Sequence, residues 1–433
     1  MRVGIVCPYS FDRPGGVQNH VLGLARWLAR AGHAASVLAP GEPGPGLTDA
    51  RTSGSVKFTS AGQAVPVPYN GSIARVNFGP LSAAHVRRWL QVGQFDLVHL
   101  HEPITPSIAL LALWAADVPV VATFHTATPR SRSMQVAGGA LRAAIEKIDA
   151  GIAVSESARR VVVQHLGRDA VVIPNGFDFD EFADGAVPGE WDETTGSTGV
   201  SQSLAHSSRG GGLRGRAGGR PRITFLGRLD EPRKGLDVLL AALPAIQAGL
   251  SPSEVEVVVA GQGSAPTMPG IRVLGEISDA EKVALLQSTD VFVAPHRERE
   301  SFGIVLLEAM AAGAAVVASA LPAFMDLLRP STEPAPSGAT DPSGLTESSG
   351  AREPLGRLVP VGDADALAAA LVEAVRLPRP ELRRRARAYA RGFDWDVVAP
   401  AIVSVYRAAL AAAPPATRTV TGPRRSLRRG AAG

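Results

Sequence analysis

The chain has 433 residues, 45% hydrophobic and 19% charged, which fits two or three soluble domains with sizeable cores and excludes disorder throughout. Its formal net charge is +4, yet five arginines (418, 424, 425, 428 and 429) crowd the last stretch, PATRTVTGPRRSLRRGAAG, and taking those five from +4 leaves −1 for the rest. The basic pI therefore belongs to a tail and not to a broad basic face, so no nucleic-acid-binding body is expected.

In chain order, MRVGIVCPYS opens with a predicted strand over Arg2–Cys7. It lacks a charged region followed by an adequate apolar run, so no signal peptide is expected. Cys7 is the single cysteine, which excludes an internal disulfide framework and a cysteine-rich zinc site. A helix over Val17–Ala31 follows Pro14-Gly15-Gly16, then a strand over Ser36–Ala39, a helix over Ser82–Gln91 and a strand over Leu97–His101. Next come a helix over Ser107–Ala116, strands over Val118–Thr123 and Ala150–Val154, a helix over Ser155–Leu166 and a strand over Ala170–Ile173. Residues 184–220 are rich in Gly, Ser and Thr and almost without large aliphatics.

The second half repeats the scheme. Strands are predicted at Arg222–Leu226, Val255–Ala260, Ile271–Leu274, Val291–Ala294 and Ala315–Ala318, and helices at Gly235–Ala248, Asp279–Gln287, Phe302–Ala312 and Asp363–Val375. Residues 330–354 share the low-complexity character of 184–220, and both segments bury too little apolar area to offset their ordering entropy. They are expected to be mobile, as is the arginine-rich tail, 414–433. A last helical stretch, Val397–Ala413, is expected to pack back on the first domain. No apolar run reaches the roughly 18 residues of a membrane span; Ser107–Ala116 stops at Asp117, and Val397–Ala413 contains Arg407.

Continuous apolar strands alternating with amphipathic helices imply parallel sheets covered on both faces. Two such halves give an α/β chain of two doubly wound domains facing each other across a cleft, 1–183 and 221–396.

Four places carry candidate chemistry. Gly15-Gly16 after the first strand either admits a ligand to the backbone and to a helix N-terminus or serves a tight turn. No G-x-G-x-x-G follows a strand, which disfavours a nicotinamide dehydrogenase. Gly227-Arg228-Leu229-Asp230-Glu231-Pro232-Arg233-Lys234-Gly235 gathers three cations where a strand ends and a helix begins, an arrangement suited to a diphosphate more than to a solvated turn. Glu300 and Glu308 flank a small-residue turn and are expected near one helical face, with Glu308 half buried among Val305, Leu307 and Met310; a capping role for Ser301 is the alternative. His125, at the end of an apolar strand, is expected to point into the cleft, while His99 and His101 share a strand face without an obvious third metal ligand.

Taken together, Gly15-Gly16, Arg228 with Lys234, and the E-x7-E pair Glu300/Glu308 resemble the retaining glycosyltransferases of the two-Rossmann-domain type, GT-B family 4. VCPYSFDRPGGVQNHV (6–21), VPYNGSIARVNFGP (67–80), HLHEP (99–103), TFHT (123–126), GRLDEPRKG (227–235) and ESFGIVLLEAMAAG (300–313) further resemble the actinobacterial phosphatidylinositol mannosyltransferases. That resemblance implies transfer of mannose from GDP-mannose to the 2-position of the inositol ring of phosphatidylinositol, in the first step of phosphatidylinositol mannoside synthesis. By position it implies that Arg228, Arg233 and Lys234 meet the GDP diphosphate, with Gly16 and the turn Ser301-Phe302-Gly303-Ile304 presenting backbone to donor phosphates and sugar. It implies Glu300 on sugar hydroxyls, Glu308 on the ribose, and Ile277, Ser278, Asp279 and Lys282 on the guanosine side. Tyr9, Gln18, Tyr69, Asn70, Ser72 and Arg75 would shape the acceptor pocket, and His125 would position the reacting groups. No D-x-D motif appears in these blocks, so no tightly bound metal or cofactor is implied, and Mg2+ would only stimulate. A cytoplasmic enzyme peripheral on the inner face of the plasma membrane follows, without a stable protein partner.

One departure concerns the membrane. The family's basic helix corresponds here to Leu81–Leu90, where only Arg87 and Arg88 are firmly cationic, and the arginine tail is expected to supply part of the missing attraction. Two other readings share the fold: a transferase acting on a soluble acceptor such as an inositol phosphate with another nucleotide-sugar, and a non-catalytic nucleotide-sugar-binding regulator.

Overall fold

The computed structural model describes residues 1–12, 15–42, 56–69, 72–125, 143–183, 220–251, 253–298, 300–330 and 353–413. Pro14, Asn70, Thr126, both low-complexity segments apart from their ends and the arginine tail lie outside these residues, as do the side chains of Tyr69 and Ser72.

The first half forms a seven-stranded parallel sheet: β1 (Arg2–Val6), β2 (Ala34–Ala39), β3 (Val56–Ser60), β6 (Leu97–His101), β7 (Val120–Phe124), β8 (Ala150–Ala153) and β9 (Val171–Val172), in the spatial order β3-β2-β1-β6-β7-β8-β9. Between β3 and β6 an antiparallel hairpin, β4 (Val65–Tyr69) with β5 (Ser72–Val76), stands apart from the sheet. The helices are α1 (Gly16–Arg30), α2 (Pro80–Gly93), α3 (Ile108–Ala115) and α4 (Glu156–Leu166). β6 and β7 are buried along their whole length, as strands covered on both faces must be.

The second half begins with a short helix, α5 (Phe179–Ala183), then builds a six-stranded parallel sheet from β10 (Arg222–Leu226), β11 (Glu256–Ala260), β12 (Ile271–Gly275), β13 (Val291–Ala294), β14 (Ala315–Ser319) and β15 (Arg357–Val359), in the order β12-β11-β10-β13-β14-β15. Its helices are α6 (Leu236–Gly249), α7 (Asp279–Gln287), α8 (Ile304–Ala311), α9 (Pro322–Leu328), α10 (Ala364–Arg376) and α11 (Pro380–Arg391). Although α5 ends the range 1–183, Phe179 and Phe182 bury against the α8 side of the second sheet, and Gln287 of α7 donates to the Glu181 and Phe182 carbonyls.

The last helix, α12 (Trp395–Ala412), returns to the first sheet, burying Trp395, Ile402 and Tyr406 beside α1 residues such as Leu24 and Leu28. Contrary to expectation, its 18 residues are long and apolar enough to cross a membrane despite Arg407, but its apolar face belongs to this core. At the crossing between domains the Phe177 N–H donates to the Phe393 carbonyl and the Trp395 N–H to the Phe177 carbonyl.

Strand order fixes where a site can form. In the first sheet the chain runs outward from β1 to β3 and then resumes on the other side at β6; in the second the same reversal separates β10 from β13. Loops leaving the carboxyl ends of strands at such a switch point diverge and leave a crevice between them.

Candidate active site

At the first crevice the chain leaves β1 through Tyr9 to Asp12 and enters α1 at Gly15, an extended N-cap without a side-chain hydrogen bond. A Cβ on Gly16 would meet nothing within 4 Å, so the fold itself does not require glycine there. The hairpin leans on this loop: Tyr9 bridges Val76, and the Ser10 N–H donates to the Arg75 carbonyl at 2.9 Å. Gln18 Nε2 donates back to the Ser10 carbonyl at 3.0 Å. The Ser10 hydroxyl and the Glu42 N–H, with help from the Arg75 charge, hold the Asp12 carboxyl below its usual range. Tyr9, Gln18 and Arg75 thus converge at the carboxyl end of β1, and Tyr69 pairs with Ser72 in the hairpin register.

His125 is more enclosed than a ring opening freely into the cleft: it is only 7% exposed and packs under α1. The Nε2 atom lies 2.9 Å from His101 Nδ1, and the ring centroid is 5.1 Å from that of His20. Trp395 of α12 closes over His20 at 5.0 Å. Burial drives the His125 pKa down to about 3, against a smaller opposing effect of Asn175, so the imidazole is neutral near pH 7. The Glu102 carboxylate accepts the His125 N–H at 2.6 Å, and Glu102 holds a left-handed backbone at φ 48° to do so. Sequence reasoning met Glu102 only as part of HLHEP. His99 is committed to Tyr406 Oη at 2.7 Å and Thr123 Oγ1 at 2.6 Å.

At the second crevice, the loop after β10 closes in a 3-10 turn, Pro232–Lys234, ended by Gly235 at φ 72°. A Cβ on Gly235 would come within 1.8 Å of the Pro295 carbonyl oxygen in the loop after β13, so glycine lets the two switch-point loops touch. Lys234 Nζ meets Glu300 Oε2 at 3.1 Å, and His296 Nδ1 meets the same oxygen at 3.0 Å. Burial alone would raise the Glu300 carboxyl, but Lys234 and His296 hold it well below its usual range. Arg228 Nη2 reaches Gln262 Oε1 at 3.4 Å. Arg233 does not join Arg228 and Lys234 as the sequence suggested; its guanidinium forks onto both oxygens of Glu231 at 2.9 and 3.1 Å.

Glu300 and Glu308 do not share a helical face. Gly303, at φ 91°, interrupts the chain between them, and α8 starts only at Ile304. A Cβ on Gly303 would lie 2.8 Å from the Phe324 ring, so both conformation and space call for glycine. Ser301 is not the cap: α8 has no side-chain cap, and the Ser301 carbonyl accepts from Ser155 Oγ, at the start of α4, at 3.0 Å. This bond ties the turn to the first domain and leaves the first N–H groups of α8 for a ligand. Phe302 is buried beside Phe393.

Glu308 is buried, as the sequence indicated, and Lys282 Nζ is its partner at 2.8 Å. Burial would lower the Lys282 ammonium, but Glu308 holds it above the ordinary lysine value. Ile277 packs near Leu274 and Val258. Ser278 caps α7 reciprocally with Glu281, and Asp279 is the first residue of that helix. The site therefore sets two cations and an uncapped helix N-terminus beside two partnered carboxylates, an arrangement that can hold a phosphate-linked polyol.

Residues 14–181 match Glycosyltransferase Family 4, and residues 220–376 match Glycosyl transferases group 1. The phosphatidyl-myo-inositol mannosyltransferase of Propionibacterium freudenreichii is 44% identical over 409 residues, spanning 94% of this chain and 95% of that protein. The chain belongs to the phosphatidyl-myo-inositol mannosyltransferase family. The D-inositol 3-phosphate glycosyltransferase of Xylanimonas cellulosilytica is more distant, 28% identical with 90% of this chain and 91% of that protein covered. Among solved structures, Anabaena HepE in complex with UDP and glucose superposes with a TM-score of 0.64 at 19% identity, covering 94% of this chain and all of that one, a likeness of fold. The two Rossmann-like domains are those of the GT-B glycosyltransferases.

Proposed function

We propose that this protein transfers mannose from GDP-mannose to the 2-position of the inositol ring of phosphatidylinositol, with retention at the anomeric carbon. The observation that carries the reading is the family membership over 94% of the chain, supported by the Lys234–Glu300 and Lys282–Glu308 pairs at the second crevice. The second domain, 221–396, takes the nucleotide-sugar, and the first, 1–183, takes the acceptor.

Arg228 and Lys234 neutralise the diphosphate as negative charge grows on it, aided by the open end of α8. Lys234 is held in place by Glu300, which also faces the sugar hydroxyls. Glu308, oriented by Lys282, takes the ribose, and Ile277, Ser278 and Asp279 line the base side. Gly16 lets the first-domain backbone approach the donor. Tyr9, Gln18 and Arg75, with Tyr69, Asn70 and Ser72 of the hairpin, hold the inositol phosphate. The neutral His125 imidazole orients the reacting hydroxyls through hydrogen bonds and does not act as a cation at pH 7. The bond from the anomeric carbon of mannose to the diphosphate oxygen breaks, the inositol hydroxyl oxygen bonds to that carbon on the same face, and the departing diphosphate oxygen takes the hydroxyl's proton, so catalysis rests on positioning and leaving-group electrostatics. No tightly bound cofactor is part of this reading, and Mg2+ is stimulatory.

The proposed location is the cytoplasmic face of the plasma membrane. Phe78 and Trp114, both about half exposed with ring centroids 6.2 Å apart, lie beside the exposed Leu81 at the start of α2, and the exposed Arg87 and Arg88 follow on that helix.

The test puts radiolabelled GDP-mannose, phosphatidylinositol vesicles and free inositol phosphate in one tube. Label in the organic phase is expected. Label remaining on the soluble inositol phosphate would transfer the reading to the soluble-acceptor enzymes, and transfer to neither would remove the donor assignment.

A further inference from the structure

We propose that His20, His101 and His125 form a binding site for one first-row transition-metal ion, zinc being the ion their geometry suits best. A ring nitrogen from each of the three lies within 4.8 Å of the other two. The ligands come from α1, from the end of β6 and from the residue after β7, elements whose spacing the sheet fixes.

The decisive observation is what these rings lack. His20 is 3% exposed, yet neither its Nδ1 nor its Nε2 has a hydrogen-bonding partner. His101 is fully buried, and its Nε2 is likewise without one. Burying an unpaired imidazole nitrogen is costly, so the bare nitrogens of His20 and His101, in a cluster of three rings, call for a polar occupant. Neighbouring His99 shows the contrast, since both its nitrogens are engaged.

Three imidazoles select against magnesium and calcium, which take oxygen ligands, and suit zinc, copper, nickel or iron. Zinc–nitrogen bonds of about 2.0–2.1 Å place tetrahedral ligand atoms about 3.3 Å apart. His101 Nδ1 and His125 Nε2 are already 2.9 Å apart, and the widest separation in the set is at most 4.8 Å, so modest ring rotations would close the site. Glu102, only 2% exposed, lies close by, accepting the backbone N–H of His125. Three protein ligands leave a fourth position for water. No step of the proposed transfer runs through this ion; because His125 also has a place in that transfer, the test reads ion binding directly and not activity.

The experiment uses the full chain stripped with a chelator and titrated with Co2+, followed by visible absorption. Saturable binding of one equivalent with tetrahedral d–d bands is expected, and zinc should displace it. His20→Gln and His101→Gln should each weaken binding at least tenfold. In 15N-histidine-labelled wild-type protein, zinc should shift the His20 ring signals and leave the exposed His85 unchanged, a readout that holds if either variant fails to fold. Absence of saturable binding, unchanged affinity in both variants, or a zinc response confined to surface histidines would each overturn the proposal.

Discussion

Lowering the pH from 7 to 5 perturbs one domain far more than the other. His20, His99, His101 and His125 are buried in the first domain, and burial depresses all four, His99 and His125 to about 3. The second domain has one such ring, His296, lowered to about 4 by burial and the Lys234 charge. In the unfolded chain each imidazole titrates near its ordinary value of about 6.5. Between that value and about 3, the unfolded state therefore binds more protons than the folded one, so stability falls as pH falls through this window and is level above it. Integrated from pH 7 to 5, a ring whose folded value lies near 3 costs about 2 kcal/mol, so His99 and His125 together cost about 4 kcal/mol, and His20 and His101 are shifted in the same direction. That is a large share of the whole stability of a domain, about 5–15 kcal/mol. Trp27, Trp89, Trp114 and Trp395 all lie in the first domain or on the helix that returns to it, so urea unfolding followed by tryptophan fluorescence reads the affected part. The midpoint should drop steeply at pH 5, while a probe placed in the second domain, which carries the single buried ring His296, moves by no more than about half as much. Equal shifts in both domains, a stability level between pH 7 and 5, or ring signals titrating near 6.5 would refute the reasoning.

Lys234→Ala and Arg228→Ala should each remove about 2–4 kcal/mol of transition-state stabilisation, read as a kcat/KM lowered by two to three orders of magnitude; unchanged turnover would take both away from the diphosphate. Gly16→Val should leave the melting temperature unchanged, since a side chain there meets open space, while weakening GDP binding by calorimetry; an unfolded variant contradicts this. Gly303→Ala should destabilise by about 1–3 kcal/mol through its positive φ and the Phe324 contact, and chemical denaturation that finds no change would remove that account. Co-sedimentation with anionic vesicles should fall for a chain ending at Ala413, and undiminished binding would show that the arginine tail plays no part.

Most of the β-branched runs that build both sheets, and the longer helices between them, were legible because strands buried on both faces leave an unbroken apolar signature; the edge strands β3 and β15 and the helices α5, α9 and α11 were not. The hairpin was not: Pro66 and Pro68 cannot donate to a ladder, and β4 survives as half of a two-stranded ribbon where that loss is tolerated. The loops of the second crevice could be placed because glycines and cations sit directly after strands, but the partners of those cations could not. Arg233 and Lys234 are neighbours in sequence, and the 3-10 turn sends one to Glu231 and the other to Glu300. The surroundings of His125 were invisible for a different reason. Periodicity locates the end of a strand, whereas His20 and Trp395, which cover it, lie 105 and 270 positions away in the chain.

The return of α12 has a consequence for the order in which the molecule is made. Trp395, Ile402 and Tyr406 complete the core of the first domain and bond or cover its histidines, yet they are translated after the whole second domain. A ribosome releasing this chain holds an N-terminal sheet with one apolar flank still open while the second half takes shape behind it. The domain that begins first is the last to close.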